Sequence, residues 1–260
     1  TLRREAPDLQ ELLPALVDTA RARVAEMNAQ GVANMLWALA TLRRDAPDLL
    51  QLLPVLVGAA RERASAMNPQ NIANTMWAVG LVKPANVQLD NLPQAMVQHA
   101  VPKLGAFSPQ ELANLCWGFA LLEHLDTTLM KAAADEVVKK VPGYRGQDAK
   151  MSVPMLMWSC ARLGVRSRKM MGGVASHLAP LLRQLNDWNL CALAWSYEEV
   201  DQDDEFGDFR GHVGPEVAHL KIPMPPRRPA VSLARTSGAR RDDSQQCERG
   251  HSSVGVGANK

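Results

Sequence analysis

The chain is poor in cysteine, in aromatic residues and in net charge. Its 260 residues include four cysteines and no CxxC pair, which argues against a zinc site or a disulfide scaffold. The formal net charge is +2, so the total charge does not indicate nucleic acid as a partner. No apolar run reaches the ~18–20 residues that a membrane span requires. Strand-favouring Thr, Tyr and Phe are scarce beside Ala, Leu and Val, which favours an all-α protein.

The sequence also lacks the residue patterns typical of catalysis. Its six histidines are scattered, and no cysteine or serine lies beside a histidine in a known nucleophilic arrangement. No glycine-rich phosphate loop is present. We therefore predict a protein that is not an enzyme and that needs no metal, cofactor or small-molecule substrate. The sequence starts at Thr1, inside a repeat, which indicates a fragment or a trimmed gene model without its targeting segment.

The chain does contain an internal repeat with a period of about 40 residues. Three segments follow one pattern: MNAQGVANMLWALA from residue 27, MNPQNIANTMWAVG from residue 67 and FSPQELANLCWGFA from residue 107. Each carries one tryptophan, at Trp37, Trp77 and Trp117. Of the first 40 positions, 23 are identical in the next 40. A fixed period of 20–50 residues is typical of repeat arrays, in which each unit packs only on its neighbours.

Each repeat is predicted to form two antiparallel helices joined by a short turn. In residues 41–80, apolar side chains recur three and four positions apart in both halves, which marks one face of a helix. Asn68 is predicted to cap the second helix, and Ser108 with Glu111 matches a capping box one repeat later. Pro54 lies within the first apolar segment, where it predicts a kink or a break in the helix.

The array is predicted to hold five units, because two degenerate copies surround Trp158 and Trp195. We therefore expect an all-α fold, an α-solenoid of about five helix-turn-helix repeats of about 37–41 residues, over residues 1–200. The predicted units are about 1–40, 41–80, 81–121, 122–161 and 162–200. The remaining segment is acidic and then rich in Pro, Gly, Ser and Arg, which predicts a disordered, low-complexity tail over 201–260.

The repeated core resembles that of the octotricopeptide repeat, which reads PQ-x-L-A-N-x-L-W-A-L-A. It is also similar to the leucine-rich helical repeats of FAST-kinase-type mitochondrial RNA proteins, and to helical-repeat subunits of RNA-editing substrate-binding complexes. The resemblance implies single-stranded RNA binding in a mitochondrion or chloroplast, in RNA processing, stability, editing or translation, with other RNA-processing proteins as further partners. The matching residues are Gln30, Gln70, Gln110, the Ala-Asn pairs at 33–34, 73–74 and 113–114, and the three tryptophans.

Residues that read the RNA sequence should differ between repeats, because helical solenoids use two or three side chains per repeat to distinguish bases. The positions six and two residues before each tryptophan do vary, and they lie four apart on one helix face. They make Asn71, Thr75, Glu111 and Asn189 candidate RNA-binding residues. The alternative interpretation is that these positions vary only because they are exposed.

The recurring polar and aromatic residues receive a structural interpretation. Asn34, Asn74 and Asn114 do not vary, so they cannot encode sequence, and we expect them to tie each helix to a turn rather than to contact ribose or phosphate. We expect the tryptophans to lie in the core rather than to stack on bases, because they share the apolar stripe of the second helix.

Basic residues also recur, at Arg43, Arg44, Lys83, Arg61 and Arg63. Stacked repeats would align them into a track for phosphates, although a solvated charged face is an equally good interpretation. Two functions therefore remain open from the sequence. The first is RNA binding by the solenoid, and the second is a protein-binding scaffold of the armadillo or HEAT kind, without RNA contact.

Overall fold

The computed structural model describes residues 7–82, 89, 91–201 and 203–225. Within these ranges the chain forms eleven α-helices and no strand, which confirms the all-α prediction. None of the helices described is both long enough and apolar enough to cross a membrane. The first ten helices form five consecutive hairpins: α1 (Pro7–Arg23) with α2 (Ala29–Leu42), α3 (Leu53–Glu62) with α4 (Pro69–Val82), α5 (Leu92–Ala100) with α6 (Pro109–Leu121), α7 (Thr127–Lys140) with α8 (Val153–Arg162), and α9 (Arg168–Leu178) with α10 (Asp187–Val200).

Four of the five second helices begin at a side-chain cap. Asn68 Oδ1 accepts a hydrogen bond of 2.8 Å from the backbone N–H of Asn71, which satisfies one of the free donors of the first turn. Ser108 and Glu111 form both bonds of a capping box. These two predictions are therefore confirmed. Two further second helices begin with the same kind of cap, at Asn28 and Asn186.

The first helices are interrupted where proline predicts it. A 3₁₀ segment covers Pro47–Leu52, and α3 starts only at Leu53, so that Pro54 lies in the first turn, where its missing N–H has no helical partner. In α1 the equivalent Pro14 lies inside the helix. Pro54 thus breaks the helix as predicted, and the break shortens α3 to ten residues.

The second helices of consecutive hairpins pack against each other along their length, whereas consecutive first helices touch less extensively. We call the set α2, α4, α6, α8 and α10 the second-helix row. Within this row α4 and α6 approach each other closely, because a Cβ built on Gly80 would lie 2.7 Å from the carbonyl oxygen of Gly118. The two backbones are therefore in direct contact, which only glycine permits.

The first hairpin has an apolar face that lacks a neighbour among the described residues. Leu12 and Leu16 of α1 are 54% and 51% exposed. Their equivalents one repeat later, Leu52 and Leu56, are 1% and 0% exposed, because the first hairpin covers them. A leucine at one of these repeat positions is thus buried where a preceding hairpin packs on it, and exposed where the described residues include no such hairpin. Such a difference is expected for a stacked array.

An additional helix, α11 (Gly207–Val217), follows the five hairpins and packs on α10. Phe209 and Val213 are buried there, and the ring of Phe209 lies 4.6 Å from that of Tyr197. The predicted disordered tail of 201–260 is therefore wrong for residues 203–225. The sequence is acidic and glycine-rich at this point, but these two apolar residues lie four apart and bury one helix face. Residues 226–260 lie outside the described residues.

Candidate nucleic-acid interface

The recurring amides and tryptophans form a continuous stripe on the second-helix row. In α2, α4 and α6 a glutamine lies seven residues before the tryptophan and an asparagine lies three residues before it. This spacing places all three side chains on one helix face. None of the nine side chains is fully buried. We call this set the amide–tryptophan stripe: Gln30, Asn34 and Trp37 on α2, Gln70, Asn74 and Trp77 on α4, and Gln110, Asn114 and Trp117 on α6.

The six amides of the stripe are available to a ligand. Within the part of the chain that the structure describes, none of them has a side-chain hydrogen bond to another residue. The expectation that Asn34, Asn74 and Asn114 are structural amides is therefore wrong. Structural amides must be paired because they are buried, and Asn34 is exposed while the other two are half-buried.

The tryptophans lie in the core only at the far end of the array. Trp37 is 48% exposed, and Trp77 and Trp117 are half-buried against the core. Trp158 and Trp195 are 6% and 9% exposed. The prediction of core tryptophans thus holds for the last two repeats and is wrong for Trp37, whose ring lies on the surface.

The buried tryptophans belong to an aromatic cluster that spans three second helices. The ring centroid of Trp117 on α6 lies 4.4 Å from that of Trp158 on α8, and 5.3 Å from that of Trp188 on α10. Trp158 also lies 6.1 Å from Trp195. Trp188 occupies the position that the stripe glutamines hold in the first three repeats. The stripe therefore changes along the array from open amides and indoles to packed indoles.

Three of the four predicted base-reading residues are buried. Asn71, Thr75 and Asn189 are 6%, 0% and 3% exposed. The Thr75 hydroxyl lies 3.9 Å from the Met67 sulfur, and the Asn189 amide donates to the carbonyl of Lys150 at 2.8 Å. The prediction is wrong for these residues, since the face six and two positions before the tryptophan packs into the array.

Glu111, the fourth predicted reader, is half-buried and serves the helix cap. Its Oε2 accepts a 2.8 Å hydrogen bond from the backbone N–H of Ser108. The side chain is thus engaged in starting α6, and a carboxylate so placed also interacts favourably with the helix N-terminus. Together with the buried readers, this result removes the variable positions from the candidate interface.

The predicted phosphate-binding residue Arg63 instead joins two repeats. Its Nε donates to the carbonyl of Met27 at 2.7 Å, and its Nη2 donates to that of Ala25 at 2.9 Å. Both carbonyls belong to the turn of the preceding hairpin. Arg61, two residues earlier in the chain, is exposed. Arg63 is therefore a structural residue, while Arg61 keeps its charge at the surface.

Lysines repeat the interaction of Arg63 further along the array. Lys103 Nζ donates to the carbonyl of Met67 at 2.8 Å, and Lys140 Nζ donates to those of Gly105 and Phe107, both at 2.9 Å. We call the side of the array where these turns lie the turn edge. Sequence reasoning missed this feature, although its signal is visible: each cation lies four residues before the extended residue that precedes the next second helix.

Arg43 and Arg44 lie at the opposite edge, because the two helices of a hairpin are antiparallel. Arg43 is half-buried and donates to the carbonyl of Ala40 at 2.6 Å, which caps the end of α2. Arg44 is exposed. Lys83 lies outside the described residues. The structure therefore does not bring the predicted basic residues together into one track.

The described cysteines are buried thiols. Burial raises the pKa of Cys160 to about 12 and holds the pKa of Cys116 well above its usual value. A thiol in such an apolar environment stays protonated and is a poor nucleophile. That the chain is not an enzyme remains a prediction.

A family model described as Tbc2 translation factor, N-terminal domain, matches residues 7–165. The match covers 159 of the 260 residues, which is more than half of the chain. The chain belongs to this family. Among curated proteins, no sequence matches the chain significantly.

The region matched by the Tbc2 N-terminal domain family runs from α1 through α8. It contains all three triplets of the amide–tryptophan stripe. These side chains form the candidate interface. The feature of the sequence that indicates them is that they recur at the same helix positions in three repeats.

Proposed function

We propose that this Tbc2-family chain binds single-stranded RNA through the amide–tryptophan stripe. The observation that carries the proposal is the exposure of the stripe: Trp37 is 48% exposed, and the side chains of six amides on the same face make no hydrogen bond to any other described residue. Base–indole stacking contributes ~1–3 kcal/mol per base. Amides both donate and accept hydrogen bonds, so they suit base edges and ribose hydroxyls alike.

The identity of the stripe residues favours binding that tolerates many sequences. Each of the first three repeats presents the same Gln, Asn and Trp, and identical side chains cannot distinguish one base from another. Specificity would then depend on places where the stripe departs from its pattern, such as the methionines of α8 and Trp188 of α10.

A path for the RNA backbone lies beside the stripe, along the turn edge. Gln30, Gln70 and Gln110 are each the second residue of their helix, so the stripe begins where the positive ends of the second helices are. Basic residues lie along the same edge, and acidic residues such as Glu62 and Glu136 lie among them. We therefore expect few phosphate contacts and a modest salt dependence.

The family name and the sequence resemblance together support a proposal for the cellular role. The family is that of a translation factor domain, and the octotricopeptide-like core implies an organellar transcript. We propose a non-enzymatic RNA-binding role in translation within a chloroplast or mitochondrion. RNA processing, stability and editing are the other outcomes that the resemblance allows.

Binding of single-stranded RNA by Trp37→Ala and by a matched control tests the proposal. Loss of one stacked base is expected to weaken binding about 10-fold, a free-energy change of ~1.4 kcal/mol. The control is Val55→Ala, which shortens a side chain that is 37% exposed on a first helix, away from the stripe. Fluorescence anisotropy with a labelled oligonucleotide at low salt measures both affinities.

Three results separate the possibilities. A 10-fold loss for Trp37→Ala with an unchanged Val55→Ala supports the stripe. Equal losses of RNA affinity in the two variants contradict it, since binding would then not depend on the second helices more than on the first helices. No RNA binding at low salt contradicts RNA as the ligand and favours a protein partner on the second-helix row.

A further inference from the structure

The start of α8 differs from that of the other second helices. Trp158 follows Trp117 by 41 residues, one more than the spacing between the first three tryptophans. The extra residue is accommodated by a π-helical turn, Asp148–Ser152, which continues directly into α8 at Val153. Wide turns of this kind are rare and occur frequently at functional sites.

The π-helical turn leaves a cleft between α6 and α8. The cleft has a volume of about 300 Å³, at the lower end of the range for small-molecule sites. Between α4 and α6, by contrast, the backbones touch through Gly80 and Gly118. The cleft therefore lies at the N-terminal end of the α6–α8 contact, and it opens on the amide–tryptophan stripe, because Gln110 and Asn114 line it.

The walls of the cleft suit a flat heteroaromatic ring. Met151 and Met155 contribute thioether side chains, which pack well against aromatic rings. Met151 is 50% exposed, so much of its side chain is accessible to a ring that enters the cleft. These methionines replace the glutamine and asparagine of the first three repeats, so the departure from the stripe pattern coincides with the cleft.

The polar groups of the cleft select which ring fits. Asp148 is its charged residue, and a carboxylate only accepts hydrogen bonds. The bound edge must therefore donate, and a carboxylate is best matched by two adjacent donors. Among the four RNA bases, guanine presents two adjacent donors, N1–H and the N2 amino group. The Gln110 and Asn114 amides can donate to its O6 carbonyl.

We propose that the cleft between α6 and α8 binds a guanine base of single-stranded RNA, with Asp148 accepting from N1–H and the N2 amino group. This inference rests on the proposed RNA-binding function and adds a base preference at one position of the bound strand. The uniform stripe holds neighbouring nucleotides without distinguishing them, and the fourth repeat supplies the specificity.

Free nucleotides test the cleft without depending on RNA binding. Ligand-detected NMR of the full chain with millimolar GMP, IMP or AMP should show GMP as the tightest ligand. IMP lacks the N2 amino group, so we expect it to bind more weakly, and AMP lacks both donors. Asp148→Asn should weaken GMP binding about 10-fold and leave AMP unchanged. The matched control is Asp135→Asn, which neutralises an exposed carboxylate on α7.

The outcomes distinguish this inference from the function on which it rests. Equal binding of GMP and AMP, or GMP binding that Asp148→Asn leaves intact in a folded variant, overturns the guanine site. RNA binding with no loss when the single guanine of an oligonucleotide is replaced by adenine also overturns it, while the RNA-binding function stands. GMP binding that depends on Asp148, in a chain that binds no RNA, supports the cleft and overturns the wider function.

Discussion

Gly118→Ala is expected to destabilise the protein by about 3 kcal/mol, the upper end of the range for overpacking. A Cβ at this position would overlap the carbonyl group of Met76 on the neighbouring helix α4. The atom in the way is backbone, so no side-chain rotation relieves the clash. The helices must move apart, which loosens the packing of α4 and α6 along their shared length. Urea denaturation followed by circular dichroism measures the free energy of unfolding.

Gly58→Ala is the matched control, because Gly58 lies in the helix α3 and nothing lies within 4 Å of the Cβ that alanine would add. Alanine is the better helix former by ~0.8–1 kcal/mol, so this variant should be slightly more stable than the parent chain. If the free energy of unfolding falls in Gly118→Ala and rises in Gly58→Ala, the contact between helices, and not the loss of glycine itself, decides the outcome. A stabilising Gly118→Ala would mean that α4 and α6 do not touch.

Leu56→Ala is expected to cost about 2–5 kcal/mol, as for other buried leucines, whereas Leu16→Ala should cost well under ~1 kcal/mol. The two leucines are equivalent residues of consecutive repeats, with exposed fractions of 0% and 51%. The comparison therefore holds residue type and repeat position constant and changes only the presence of a preceding hairpin. The same urea titration measures both values.

Protein concentration serves as the control for the leucine comparison. If Leu16→Ala costs as much as Leu56→Ala, and the cost falls on dilution, another molecule covers the face of the first hairpin in solution. If the costs are equal at every concentration, the account of repeat stacking is contradicted. Unequal costs at all concentrations confirm that the preceding repeat buries the second leucine.

The helical hairpins could be predicted from the sequence because their signals are local. The caps at Asn68 and Ser108 and the break at Pro54 depend on residues within one helical turn, and all three are as predicted. The small residues of the second helix were also informative. Gly80 lies where the backbones of α4 and α6 touch, so a glycine at this point of a second helix marks a close helix contact.

The binding face could not be predicted in the same way, because burial in an array depends on neighbouring repeats. In the first three hairpins, a second helix is covered by the neighbouring second helices and by the first helix of the following hairpin, so most of its sides are internal. Polar Thr75 lies on a covered side and apolar Trp37 on the open one. The amphipathic pattern of a single helix does not show this distinction.

The interpretation of variation was also wrong for a physical reason. Variable positions were assigned to base reading and recurring positions to structure. In the array, the variable position six residues before the tryptophan is buried at Asn71, Ser152 and Asn189, so its variation does not mark an exposed reading face. The recurring Gln, Asn and Trp lie on the open face, where packing does not require them. Their recurrence therefore favours a ligand with a repeating structure, such as a nucleic-acid strand.

Cross-linking of RNA that contains 4-thiouridine to the full chain, with adducts located by mass spectrometry, tests most directly whether the second-helix row binds RNA. We expect adducts in peptides from α2, α4 and α6, at or beside Trp37, Trp77 and Trp117, and competition by unlabelled single-stranded RNA. Adducts confined to first helices such as α3 and α7, or adducts that competitor RNA does not reduce, would contradict the account.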